Sequence, residues 1–127
     1  MAENKSDKLI LLVDDDPTIL GTSRMMLEAL GYPVTAVDSS REAISEIQQD
    51  ASRFSLVLTD LSMPDMDGRE LAVRIREEGF SGPIAVVSGY ALDLDELGDQ
   101  FIGVLMKPFR LNELATRVEE FLDKAAS

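Results

Sequence analysis

A single α/β domain, with a parallel sheet covered by helices on both faces, is the fold class this sequence predicts. Two observations carry that expectation. Five strand-length apolar runs are each followed by a helix-like pattern, and the runs are nearly continuous rather than alternating. Strands of that kind are buried on both sides, as in a sheet sandwiched between helix layers. The chain has 127 residues, which suits one domain. With 45% hydrophobic residues it needs no disulfide or structural metal to hold a core.

Taken in order, residues 1–7 are polar and read as a flexible N-terminus. The domain is expected over 8–124, with no output domain after it. Residues 8–13 (KLILLV) are the first strand and stop on Asp14, Asp15 and Asp16. Pro17 comes next, the favoured first residue of a helix behind an aspartate cap. Ile19, Leu20, Met26, Leu27 and Leu30 recur at helical spacing until Gly31 and Pro33 stop the helix. Residues 34–37 are short and β-branched, a second strand. Ser39 with Glu42 makes a capping box ahead of Ala43, Ile44 and Ile47.

Residues 54–59 form the third strand, which ends on Asp60 and a loop holding Pro64 and Gly68. Asp67 with Glu70 repeats the cap signature, Leu71, Ala72 and Ile75 supply the apolar stripe, and Gly79 ends that helix. Residues 83–87 are the fourth strand, closed by Ser88 and Gly89. Residues 91–100 carry Leu92, Leu94 and Leu97 among acidic and amide residues, with Gly98 inside, so the fourth helix is expected to be short. Residues 102–106 are the fifth strand and lead to Lys107 and Pro108. Leu111, Leu114, Ala115, Val118, Phe121 and Leu122 then trace one face of a final helix.

Twenty-four acidic residues against twelve basic ones give a net charge of −12. That balance argues against direct nucleic-acid or anionic-lipid binding, where a basic face supplies most of the affinity. Cysteine is absent, so nothing points to an oxidising compartment. No apolar run reaches the roughly 18 residues of a membrane span, and no signal-peptide region opens the chain. A cytoplasmic location without membrane insertion is the expectation. Histidine is absent too, so any chemistry needing an imidazole must draw it from a partner.

In a parallel sheet the carboxyl ends of all strands share one edge, where open α/β sheets place their ligands. Those ends carry Asp14, Asp15, Asp16, Asp60, Ser88 and Lys107. Clustered carboxylates repel one another and require a cation at neutral pH. Lys107 offsets part of the charge, and an octahedral Mg²⁺ held by carboxylates and waters offsets more. A carboxylate nucleophile, a hard divalent ion, a hydroxyl and an ammonium together suit phosphoryl transfer. Taken singly each residue has a plainer role. Asp16 reads chiefly as a helix cap, Asp14 and Asp15 as turn residues, Ser88 as turn chemistry and Lys107 as a solvated charge. Their collection on one edge favours the chemical reading.

The ordered set LILLVDDDP, LVLTDLSMPDMDG, VVSGYA and LMKPF resembles the receiver domain of two-component response regulators, the CheY-like family, over nearly the whole chain. The resemblance implies a flavodoxin-like sheet of order 2-1-3-4-5. It also implies that Asp60 accepts the phosphoryl group. Mg²⁺ (or Mn²⁺) would be held by Asp15, Asp60 and the main-chain carbonyl of Ser62, with Asp14 acting through water. Ser88 resembles the switch hydroxyl, and Lys107 the lysine that pairs with Asp60 or its phosphate. The Lys107–Pro108 bond is often cis in the family.

The implied donor is a phosphohistidine on a histidine kinase or histidine phosphotransfer protein. The implied response is a switch of the surface around the fourth helix and fifth strand, and a homodimer is compatible with it. Tyr90 and Ser62 occupy positions that tune dephosphorylation in the family, and Tyr90 is expected to shield the acyl phosphate from water. Two features depart from the family pattern. Val104 stands where a Tyr or Phe usually swings inward, and the interval from Ser88 to Lys107 is short.

Two rival readings compete. One is a receiver-shaped binding module that is never phosphorylated. The other is a haloacid-dehalogenase-type phosphatase with Asp14 as nucleophile and Asp16 as acid/base. The second needs a further acidic pair at a strand end after the lysine. Glu113, Glu119 and Glu120 sit instead on the polar side of a helix.

Overall fold

The computed structural model describes residues 4–90 and 97–126. Its strands are β1 (Leu9–Val13), β2 (Val34–Val37), β3 (Phe54–Asp60), β4 (Ile84–Ser88) and β5 (Gly103–Met106). They form one parallel sheet in the order β2-β1-β3-β4-β5, the order that the family resemblance implies. The chain runs outward from β1 to β2 and then returns to the other side of β1. The resulting crevice lies outside the carboxyl ends of β1 and β3, the switch point of such a sheet.

Alternation along each strand splits the core into two layers. Leu11, Val13, Val57, Ile84 and Val86 face α2 (Ser40–Gln49) and α3 (Gly68–Glu77), whose Ala43, Ile44, Ile47, Leu71, Ala72 and Ile75 are buried with them. Ile10, Leu12, Leu56, Leu58, Ala85, Val87 and Leu105 face α1 (Pro17–Ala29) and the C-terminal helix (Leu111–Ala126). Leu27 on α1 and Leu114, Val118 and Phe121 on the C-terminal helix close that layer. Every strand of the sheet's centre is thus dry on both sides, which is why its sequence shows no polar alternation.

The helix ends follow local chemistry. Asp16 caps α1 by accepting the Thr18 and Ile19 N–H groups, Ser39 caps α2 through the Glu42 N–H, and Asp67 caps α3 through the Glu70 N–H. Gly31 and Gly79 follow α1 and α3 with φ of 102°, a left-handed conformation that a side chain would resist. Arg76, near the end of α3, donates to the carbonyls of Phe80 and Gly82 and reaches that of Gln100 at 3.5 Å. One guanidinium therefore ties α3 to the approaches of both β4 and β5.

Within the polar start, Lys5–Asp7 forms a 3-10 turn capped by Asn4. The short fourth helix expected over 91–100 falls mostly on 91–96, outside the described residues, and Leu97 just beyond them is buried. No helix among the described residues is long and apolar enough to cross a membrane.

Candidate functional site

Strand register explains how the site forms. Val13 lies opposite Thr59, so the next residues, Asp14 and Asp60, leave adjacent strands side by side. Asp60 in turn lies opposite Val87, and Ser88 opposite Met106, one residue before Lys107. By alternation Asp14, Asp60 and Lys107 continue the rows Ile10–Leu12, Leu56–Leu58 and Leu105, and project towards the α1 side of the sheet. The edge where β1, β3, β4 and β5 end thus collects the residues singled out from sequence.

Lys107 Nζ lies 3.1 Å from Asp14 Oδ2 and 3.8 Å from Asp60 Oδ1, with its side chain only 19% exposed. Asp14 is buried, Asp60 partly so and Asp15 exposed, yet the three offer carboxylate oxygens within 4.8 Å of one another. Asp14 Oδ1 also accepts the Asp16 N–H at 2.9 Å, which fixes the turn after β1. Asp16 itself points away into the α1 cap and is not in the cluster. Ser88 is buried; its Oγ accepts the Tyr90 N–H at 3.0 Å and its carbonyl accepts the Lys107 N–H at 2.7 Å. The Tyr90 ring is exposed. The Lys107–Pro108 peptide bond is cis, as the family resemblance implies.

Burial is the main reason that the Asp60 carboxyl is held above the usual carboxylate range. The Lys107 ammonium opposes it, Asp14 adds to the rise, the Leu61 N–H opposes it, and Asp15 adds a little more. A raised carboxyl binds its proton more tightly in the folded chain than in the unfolded one. Stability is therefore lost as pH climbs from the ordinary carboxylate range through the raised value. Without divalent cations, Asp60→Asn should melt above the wild type at pH 7. The gap should close below about pH 4, where both states are protonated. Thermal melts across that range check the sign.

Three carboxylates against one ammonium leave two negative charges uncompensated, the charge of a single divalent cation. The donors are all hard oxygens, and the exposed Asp15 leaves room for retained waters. Both features suit Mg²⁺.

Two residues matter here beyond those picked from sequence. A methyl group at Gly68 would sit 2.7 Å from the Asp60 carbonyl oxygen, so only glycine lets α3 begin this close to the end of β3. The sequence marks Gly68 merely as a loop glycine. Ser40 is completely buried, and its Oγ donates to the Met66 carbonyl at 2.7 Å. Its only signal in the sequence is the pair Ser39-Ser40 at a helix start, where a single side chain suffices as cap.

Comparison with known proteins agrees with this geometry. The family model "Response regulator receiver domain" matches residues 10–119. The chain is 38% identical over 118 residues to the response regulator receiver protein CpdR of Brucella abortus, covering 91% of this chain and 97% of that one. It is 34% identical over 118 residues to the sensor kinase CckA of the same organism, again over 91% of this chain but only 12% of the kinase. Among solved structures, a CheY-like receiver domain protein from Methanospirillum hungatei superposes with a TM-score of 0.82 at 31% identity, covering 94% of this chain and 96% of that one. The chain belongs to the response regulator receiver family, the phosphoryl-accepting domains of two-component signalling.

Proposed function

We propose that Asp60 is the phosphoryl acceptor of this receiver and that the donor is a phosphohistidine on a histidine kinase or histidine phosphotransfer protein. The observation that carries the reading is the placement of Asp60, within 4.8 Å of two further carboxylates and 3.8 Å from the Lys107 ammonium. An Asp60 oxygen attacks phosphorus in line, the P–N bond to the donor imidazole breaks, and the imidazole leaves with a proton. The product is an acyl phosphate. Lys107 meets the charge on the transferred oxygens, and the Ser88 hydroxyl, released from the Tyr90 N–H, turns towards them. Asp15, Asp60 and the Ser62 carbonyl would hold Mg²⁺, with Asp14 acting through water, and the bound ion would neutralise charge on the phosphoryl oxygens.

The chain holds no histidine, so the imidazole is the partner's. Likeness to part of a sensor kinase supports a partner of that class. The domain, residues 8–124, catalyses its own phosphorylation and hydrolysis rather than turning over a substrate, and acts in the cytoplasm. Its response passes to the surface around β5 and the residues before it. Phosphorylation would draw Ser88 and its loop inward, and Val104 has no ring to follow it.

Incubation with Mg²⁺ and acetyl phosphate should give one phosphoryl adduct by intact mass, absent in Asp60→Asn. An unmodified wild type would point to a binding module. An adduct lost in Asp14→Asn but kept in Asp60→Asn would move the nucleophile to β1.

A further inference from the structure

The segment between β3 and α3 carries the Ser62 carbonyl, and it is held in shape at its base, its middle and its far end. At its base the Gly68 N–H donates to the Leu61 carbonyl at 2.7 Å. The buried side chains of Leu61 and Met63 anchor it on either side of Ser62. Its far end is gripped from another element altogether. Ser40 Oγ donates to the Met66 carbonyl at 2.7 Å and lies 4.0 Å from Met63 Sδ, while the Arg41 N–H donates to Asp65 Oδ2 at 3.2 Å.

The hydroxyl of Ser40 does nothing for its own helix. Ser39 already caps α2, and Ser40 is directed across to a residue 26 positions away. The first turn of α2 is thus attached to the far end of the loop whose near end would face the metal. A buried hydroxyl with a single good acceptor fixes that acceptor in place, because neither group has water as an alternative.

We infer that Ser40 is a positioning residue for metal binding: through Met66 and Met63 it holds the 61–68 loop in the shape from which the Ser62 carbonyl would reach the metal. This rests on the reading of Asp60 and its neighbours as a Mg²⁺-dependent acceptor site. The Arg41–Asp65 bond is the second, solvent-exposed half of the same attachment.

Calorimetric titration of the full chain with Mg²⁺ tests it. Ser40→Ala should weaken Mg²⁺ binding by about tenfold, the lower end of what loss of an outer support costs a metal site. The adduct from acetyl phosphate should still form at saturating Mg²⁺. Asp65→Ala, an exposed change that spares the core, should weaken binding in the same direction. Ser39→Ala removes the α2 cap without touching the loop and should bind Mg²⁺ as the wild type does. Wild-type affinity in Ser40→Ala, or an equal loss in Ser39→Ala, would overturn the inference and leave the acceptor reading intact. A wild type that bound no Mg²⁺ would overturn both.

Discussion

Lys107→Met should slow formation of the phosphoryl adduct from acetyl phosphate by about 10²–10³-fold, the usual cost of removing one preorganised group that meets charge developing in a transition state. Methionine keeps most of the length and apolar stem, so packing beside Pro108 and Phe109 should survive. Binding of Mg²⁺ should move the other way. Nζ lies 3.1 Å from Asp14 and 3.8 Å from Asp60, where it would compete with a metal for the same carboxylates. Its loss leaves three carboxylates with no fixed cation, so the affinity for Mg²⁺ should rise. Adduct kinetics by mass spectrometry and a Mg²⁺ titration read the two effects separately. A fall in both would mean that Lys107 serves the fold rather than the chemistry.

Phe121→Ala should be the most damaging single change to stability, at about 3–5 kcal/mol. The ring is fully buried in the layer under α1 and the C-terminal helix, with the Arg117 guanidinium stacked 4.8 Å from its centroid. It also lies directly on β5. A methyl group at Gly103 would clash with the Phe121 ring, so strand and helix touch there without an intervening side chain. Removing the ring leaves a cavity that neither Gly103 nor the rigid sheet can fill. Denaturant melts should show the midpoint fall with little change in slope. Because β5 presents Lys107 at its end, the variant should also lose acceptor activity at temperatures where it is still mostly folded.

Much of this is legible in the sequence, for identifiable reasons. Strands buried on both faces are continuous apolar runs, so β1, β3 and β4 announce themselves, and parallel pairing then puts Asp14, Asp60 and Lys107 on one edge. Caps are local: Asp16, Ser39 and Asp67 each bind an N–H two or three residues ahead. What stayed hidden is long-range and carries no period. Nothing in the spacing of Ser40 and Met66 records their bond. The contact of Gly68 with the Asp60 carbonyl arises from how closely α3 starts behind β3. Arg76 looks like a surface charge on its helix, yet it is desolvated among backbone carbonyls, which lowers its pKa. Val104 shows the reverse: its lack of a ring is plain in the sequence, and the structure adds that its carbonyl accepts Arg117 Nη2 at 2.9 Å.

The acidic edge also acts beyond its own atoms. Even with a divalent cation balancing the carboxylates at the mouth of the site, the acidic chain, of net charge −12, keeps a negative potential that reaches about 8 Å at physiological ionic strength. A phosphoryl donor is itself an anion, so a small one would climb against this field to reach the site. A protein that surrounds its phosphorylated residue with lysine and arginine meets the opposite slope and is drawn in. An acidic surface of this kind would slow small anionic donors relative to a basic docking partner, so raising the salt concentration should narrow the difference between the two.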